Sequence, residues 1–239
     1  MTNTLSVVIP AYQEEKRPPS TLKIIIAYLK KQRQDYEIIV IDDGSKDATS
    51  RIAKDFTEDG VRLLSYQPNR GKGYAIRQGV LAARGDYILI SDADLSTPIA
   101  DWQRLKEALE NGYDLAIGSR ALKKSLLVVR QPLYRELMGR TFNLFIQIVL
   151  LPGICDTQCG FKLLRHGIAK KIFPHCSING FSCDVEILFL ARQFGYRIQE
   201  VPVRCRHKEQ SRAHPLRDSL RMIREVFLIR QRHLLGEYR

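Results

Sequence analysis

Short apolar runs alternate with longer amphipathic stretches along residues 1–120. Leu5–Ile9, Glu37–Ile41, Val61–Tyr66, Tyr87–Ile90 and Asp114–Ile117 are β-branched or apolar and of strand length. Between them Leu22–Lys31, Ala48–Phe56, Tyr74–Ala83 and Trp102–Leu109 space their apolar residues with helical period. Parallel strands need crossover helices, so this alternation predicts an α/β fold with a mostly parallel, doubly wound sheet. Residues 121–239 read differently. Leu133–Leu151 is a strongly apolar helical stretch carrying Arg135 and Arg140. A strand at Gly160–Leu164, a helix at Val185–Phe194, a strand at Arg197–Val203 and a last helix at Leu216–Leu235 follow. In that last helix Leu216, Leu220, Ile223 and Phe227 make one stripe, and Arg217, Arg221 and Arg224 the next. Neither an internal repeat nor a low-complexity linker interrupts the chain, which predicts a single domain over 1–239.

Composition narrows the class. At 44% hydrophobic and 27% charged, the 239 residues are those of a globular protein, not of a disordered, collagenous or coiled-coil one. The longest apolar run, Phe142–Leu151, is interrupted by Gln147 and falls short of the roughly 18 residues a bilayer crossing needs. No basic stretch precedes Leu5, so no signal peptide is expected. Five cysteines without CxxC spacing suit a reduced, cytosolic setting better than a disulfide framework or a zinc site.

Charge adds a second division. The net charge is +12, yet residues 1–120 hold 17 basic and 17 acidic side chains. The remaining 119 residues hold 21 basic and 9 acidic ones and carry the whole excess. Such a polycationic half suits nucleic acid, an anionic membrane surface or phosphate-bearing substrates.

The acids gather where the strands end, and in doubly wound sheets ligands bind beyond the carboxyl ends of the strands. Asp92-Ala93-Asp94 follows an apolar strand and reads either as a solvated turn or as two carboxylates that can face one cation. Mg²⁺ or Mn²⁺ is held in this way, by one or two carboxylates with substrate phosphates completing the shell. Asp42-Asp43-Gly44-Ser45 ends another strand and reads either as a connection with a helix cap or as a carboxylate for a nucleoside. Gly71-Lys72-Gly73 opens a helix as a phosphate approach or as a tight turn. Neither GxGxxG nor GxxxxGK[ST] occurs, so neither a Rossmann cofactor site nor a P-loop is supported.

Pro10-Ala11-Tyr12-Gln13-Glu14, Asp42–Ser45 and Asp92–Asp94, in that order, resemble the inverting family-2 glycosyltransferases of GT-A fold, with Gln13 where Asn is usual. Gly118-Ser119-Arg120, Gly139–Asn143, Asp156–Lys162, Asp184-Val185-Glu186 and Glu200–Val203 extend the likeness to the polyprenyl-phosphate branch, the dolichyl-phosphate glucosyl- and mannosyltransferases and their bacterial relatives. The resemblance implies a nucleotide-sugar half (1–120) and a helical, membrane-facing acceptor half (121–239). By the same resemblance Pro10, Tyr12, Glu14, Ile41, Asp43 and Ala93 would hold the nucleotide sugar. Asp92 and Asp94 would hold metal and diphosphate, with Ser96 near a second metal position. Arg120 would act with them at the reacting phosphates, and Arg135 and Arg140 would meet the acceptor phosphate. Arg206 and Arg212 match basic positions in a loop that closes over the donor, Arg212 standing where the mannosyl enzymes have Lys.

The reaction so implied moves a hexose from a nucleotide sugar to a polyprenyl or dolichyl phosphate. Asp92–Pro98 and Asp156–Lys162 look more like the glucosyl branch, which implies UDP-glucose over GDP-mannose. A phosphate acceptor is already anionic, so no general base is required; Asp156 and Asp184 are the candidates for one, and each is equally placed to orient an arginine. A sugar-hydroxyl acceptor would need such a base, with Asp184-Val185-Glu186 the nearest acidic pair. Nucleic-acid binding would leave the acidic strand ends unexplained. The expected location is the cytoplasmic face of a membrane, reached by a peripheral enzyme through Leu133–Leu151 and Leu216–Leu235 or through a membrane partner.

Overall fold

A computed structural model describes residues 4–122, 125–129, 133–206 and 215–238. The first half alternates as its pattern predicts: β1 (Leu5–Ala11), α1 (Pro18–Lys31), β2 (Tyr36–Asp42), α2 (Thr49–Lys54), β3 (Val61–Ser65), α3 (Lys72–Ala82), β4 (Tyr87–Ile90), α4 (Trp102–Glu110) and β5 (Leu115–Ser119). The second half adds β6 (Leu126–Val129), α5 (Leu133–Val149), β7 (Lys162–Arg165), α6 (His166–Ile172), α7 (Cys183–Gln193), β8 (Ile198–Pro202), β9 (Arg204–Arg206) and α8 (Pro215–Leu234).

Seven strands form one sheet in the order β3-β2-β1-β4-β7-β5-β8. All neighbours are parallel except β7, which runs antiparallel to β4 and β5. Both sheet faces are covered, so the strands are apolar on both sides. Val7 and Ile9 of β1 pack into a layer with Leu22, Ile25 and Leu29 of α1 and Leu105 of α4. Val8 faces the opposite layer, built with Ile76 of α3, Val185 of α7 and Ile229 of α8.

Strand order reverses between β1 and β4, with β2 on one side of β1 and β4 on the other. The chain therefore leaves those two strands in opposite directions, which opens a crevice at their carboxyl ends. Because β7 is antiparallel, its first residue arrives at that same edge: Lys162 lies in register with Ile90 of β4 and Ile117 of β5.

Some elements differ from expectation. Helix α1 starts a turn early because Pro18 serves as a first-turn residue, where its missing N–H costs nothing. The pair β6–β9 makes a separate two-stranded sheet, and α6 adds seven residues of helix. The buried face of α8 is Val226 and Ile229, whereas Leu220 and Phe227 of the predicted stripe are 69% and 54% exposed.

Candidate functional site

The Asp92–Asp94 turn is pinned from three sides. Thr21 Oγ1 of α1 donates to the Ala93 carbonyl at 2.7 Å. Ser96 donates to Asp94 Oδ1 through its backbone N–H at 2.8 Å and its hydroxyl at 2.7 Å. Gly160 lies against the Asp92 carboxylate so closely that a Cβ there would sit 2.2 Å from Oδ2. Only glycine leaves that carboxylate its place, which explains Cys159-Gly160-Phe161 just before β7.

Asp92 is 39% exposed at its side chain and faces Lys72, whose Nζ lies 2.9 Å from Oδ1. Burial would raise the Asp92 carboxyl, but the charges of Lys72, Lys162 and Arg120 outweigh it and hold the group below the usual range. For Lys72 burial works the other way, and Asp92 and Asp184 override it, keeping the ammonium charged well past its ordinary limit. The donor set of Asp92 and Asp94 is all oxygen, and the missing Cβ of Gly160 leaves room for the Asp92 carboxylate. These residues fit a hard divalent cation. Among the described residues no group of three or more His, Cys, Asp or Glu side chains converges on one point.

Across the crevice, the loop after β1 is braced by the loop after β2. Gln13 N–H donates to Ser45 Oγ and Glu14 N–H to Thr49 Oγ1, each at 2.8 Å. Gln13 adopts φ 51°, a left-handed conformation that Asn enters more readily. Tyr12 is 38% exposed at the mouth, and Glu14 pairs with Arg17 at 3.0 Å. Ile41 is fully buried and packs over Gly79 of α3. Asp43 is also buried, and accepts from Asn69 Nδ2, Arg70 N–H and Gly71 N–H, each at 2.8 Å. Its carboxylate organises the 69–71 loop, and Gly44 at φ +76° lets that loop approach.

At the end of β5, Arg120 makes a two-pronged contact with Asp156, Nε to Oδ2 at 2.7 Å and Nη2 to Oδ1 at 2.9 Å. Its own N–H adds a third bond to Asp156 at 2.9 Å. Glu200 of β8 supports the acid from behind, accepting from Cys155 N–H at 2.7 Å and Asp156 N–H at 2.9 Å. Asn143 of α5 ties the same loop down by accepting from Thr157 Oγ1 at 2.8 Å. Asp156 therefore orients an arginine. Burial and the Asp156 charge push the neighbouring Cys159 thiol up to about 11, so it stays protonated at neutral pH. All five cysteines are free thiols.

Asp184 is 4% exposed at its side chain and shared by two lysines: Lys162 Nζ at 2.5 Å on Oδ1 and Lys72 Nζ at 3.5 Å on Oδ2. Glu186, fully buried, accepts from Ser177 N–H, Ser177 Oγ, Ile178 N–H and Tyr238 OH. It fixes the segment before α7 and the end of the chain, away from solvent.

The fold thus brings Pro10, Tyr12, Asp92, Ala93, Asp94, Ser96 and Arg120 to one edge, with Asp43 one loop behind. Arg206 ends β9, while its side chain, those of Arg135 and Arg140, and the whole of Arg212 lie outside the described residues. Sequence reasoning left Lys72 undecided and gave Lys162 and Glu200 no role. The signal was present for Lys162, a lone lysine in an apolar run beside Phe161, Leu163 and Leu164.

Comparison with known proteins follows the same lines. Residues 6–173 match the description Glycosyl transferase family 2. A Dictyostelium discoideum dolichyl-phosphate beta-glucosyltransferase is 39% identical, covering 97% of this chain and 75% of the relative. The human dolichyl-phosphate beta-glucosyltransferase is 37% identical over 100% of this chain and 78% of its own. Among solved structures, the Mycobacterium tuberculosis glucosyl-3-phosphoglycerate synthase in complex with Mn²⁺ and UDP-glucose superposes with a TM-score of 0.69 at 20% identity, covering 95% of this chain and 78% of that one.

Proposed function

The chain belongs to glycosyl transferase family 2, and from that premise we propose that it transfers glucose, with inversion, from UDP-glucose to the phosphate of a dolichyl or polyprenyl lipid. The observation that carries the acceptor class is the commitment of the three candidate bases. Asp156 holds Arg120, Asp184 is divided between Lys162 and Lys72, and Glu186 is saturated inside the core. A hydroxyl acceptor needs a base within hydrogen-bond reach of its proton. A phosphate acceptor brings its own negative oxygen, so positioning and charge neutralisation suffice. The names of the Dictyostelium and human relatives support dolichyl phosphate and a β-glucosyl product. A β-linkage made from an α-linked nucleotide sugar requires one inverting displacement.

In this reading Asp92 and Asp94 would hold Mg²⁺ or Mn²⁺ for the donor diphosphate, with Ser96 fixing Asp94. When bound, the ion stabilises the charge that builds on the departing nucleoside diphosphate. Pro10, Tyr12, Glu14 and the Asp43-organised loop hold the nucleoside, joined by Arg206, at the end of β9, and by Arg212. Arg120, kept in one orientation by Asp156, meets the phosphates, and Arg135 and Arg140 of α5 gather the acceptor.

A lipid acceptor places the enzyme at a membrane, here at the cytoplasmic face. No described helix is long and apolar enough to cross one. Of the ten large exposed apolar side chains described, six (Leu144, Ile148, Leu220, Phe227, Leu234 and Leu235) belong to α5 or to α8 and the residue after it. The two helices touch through Phe145 and Phe227, whose ring centres lie 5.7 Å apart. This paired face supports peripheral docking.

The test is transfer of labelled sugar from UDP-glucose and from GDP-mannose, each offered to dolichyl phosphate and to a sugar acceptor. Transfer from UDP-glucose to the lipid phosphate, stopped by EDTA, is expected. Product on the sugar hydroxyl and none on the lipid overturns the acceptor, and preference for GDP-mannose overturns the donor.

A further inference from the structure

Lys72, the first residue of α3, stands between two carboxylates of different kinds. Its Nζ lies 2.9 Å from Asp92 Oδ1, at the mouth of the site, and 3.5 Å from Asp184 Oδ2, behind it. The rear acid is buried and held from its far side. Its other oxygen binds Lys162 Nζ at 2.5 Å, and Lys162, fully buried, also donates to the Cys159 carbonyl at 2.5 Å. One oxygen of Asp184 is thus engaged by Lys162 and the other is turned to Lys72.

The backbone under Lys72 is equally fixed. A Cβ on Gly71 would lie 2.3 Å from the Asn179 carbonyl oxygen, and one on Gly73 would lie 2.2 Å from that of Ile178. Gly73 N–H donates to the Asn179 carbonyl at 2.9 Å. Motion at this point is left to the four-carbon stem of the lysine, whose compact ammonium has no directional fork to hold it.

We propose that Lys72 is the internal counter-ion of the cation site, occupying Asp92 while cation and donor are absent and crossing to Asp184 when Asp92 is engaged. The proposal rests on the metal reading given above. Its consequence is that the empty enzyme holds a divalent cation weakly, because the ion must displace an ammonium from one of its two carboxylates. Binding then strengthens when a diphosphate supplies further oxygens, so cation and donor enter together. The Lys162–Asp184 pair is the receiving half of the device, and this gives the buried lysine of β7 a role.

The test is titration of the full chain with Mn²⁺ in low salt without donor, following the free ion by electron paramagnetic resonance. Wild type is compared with Lys72→Met, Lys72→Gln, Lys72→Arg and Asp94→Ala. Removing a positive charge within hydrogen-bond distance of a ligand should tighten Mn²⁺ binding about tenfold in the Met and Gln variants. The Arg variant, which keeps the charge, should stay near wild type. Structural damage would weaken binding, so the sign separates the two. Unchanged or weaker binding in a neutral variant with a native circular dichroism spectrum overturns the counter-ion role. Unfolding of both neutral variants overturns it too, since Lys72 would then be a stability residue. If Asp94→Ala abolishes wild-type binding while the neutral variants fail to tighten it, the metal reading stands and this one falls. No Mn²⁺ bound by wild type, with or without UDP-glucose, removes both.

Discussion

Two carboxylate–cation pairs stand on either side of β7 at the same sheet edge, and they are built on opposite plans. Asp156 and Arg120 meet through a planar fork, and Glu200 braces the acid from behind. Asp92 and Lys72 meet through one contact, and the lysine is shared with Asp184. A guanidinium held by two parallel bonds has its direction set; an ammonium on a flexible stem has only its charge placed. The β5 end is thus made to aim a cation without moving it, and the β4 end to surrender a carboxylate. The reaction proposed above, which takes up a metal–diphosphate and then acts on it at a fixed phosphate, has use for both.

The harshest break falls on the β4 side. Asp94→Ala should lower kcat/KM by on the order of 10³ and remove the Mn²⁺-dependent thermal shift with UDP-glucose. Its melting temperature without ligand should remain near wild type, because among the described residues the bonds Asp94 accepts are local ones from Ser96. Near-wild-type turnover in this variant would remove Asp94 from the metal site.

Asp156→Asn tests the other plan, since it keeps the shape and deletes the charge that aims Arg120. Activity should fall about 10²-fold with little change in Mn²⁺ affinity. Stability should fall by about 1–2 kcal/mol, allowing for the partial exposure of Arg120 to water. The acid limb gives an independent reading. Burial alone would raise the Asp156 carboxyl, but Arg120 overrides it and holds the folded value below the ordinary one. The stabilisation is therefore complete above about pH 4 and is lost as pH falls through the folded pKa. Urea unfolding from pH 5 downward should show a steeper loss for wild type than for Asp156→Asn; parallel curves would mean the pair contributes nothing.

The contrast between the plans also marks how far the sequence can be read. The apolar strands of the first half declare themselves, because a sheet covered on both faces needs unbroken apolar runs and helices between them. The acids at their ends declare themselves too, because chain order puts them on one edge. What stayed hidden depends on β7. Its antiparallel insertion between β4 and β5 brings Gly160 to Asp92 and Lys162 to Asp184, and no local pattern announces the direction of a four-residue strand. The strand Arg204–Arg206 was equally silent, being three residues long and polar at both ends. Helix α8 misled differently. It is apolar on more than one side, so periodicity alone could not say that Val226 and Ile229 face the core while Leu220 and Phe227 face outward.

Gly160→Ala sharpens the comparison by disturbing Asp92 without changing any charge. A methyl group 2.2 Å from Oδ2 forces the carboxylate or the 159–161 segment aside. Overpacking of this kind costs about 1–3 kcal/mol. The Mn²⁺ concentration for half-maximal activity should rise about tenfold, while the Arg120–Asp156 side, and with it the acid limb of stability, stays as in wild type. An unchanged Mn²⁺ requirement would mean that Asp92 does not need its observed place.

The smallest expected effect decides what Ser96 does. Both its hydroxyl and its backbone N–H donate to the same oxygen of Asp94, so Ser96→Ala removes one bond of two and leaves the main-chain one. A positioning role predicts a loss near 0.5–1 kcal/mol, a two- to fivefold rise in the Mn²⁺ requirement, and rescue by Thr, which restores a hydroxyl. A hydroxyl that ligated the ion directly would cost about tenfold or more on removal, and Asn, whose carbonyl oxygen is a comparable ligand, would restore affinity better than Thr. In the structure the hydroxyl lies 2.7 Å from Asp94 Oδ1 and donates to it, which is how a residue holds a ligand in place, and the threefold-against-tenfold difference in Mn²⁺ titrations of Ala, Thr and Asn variants separates the two roles.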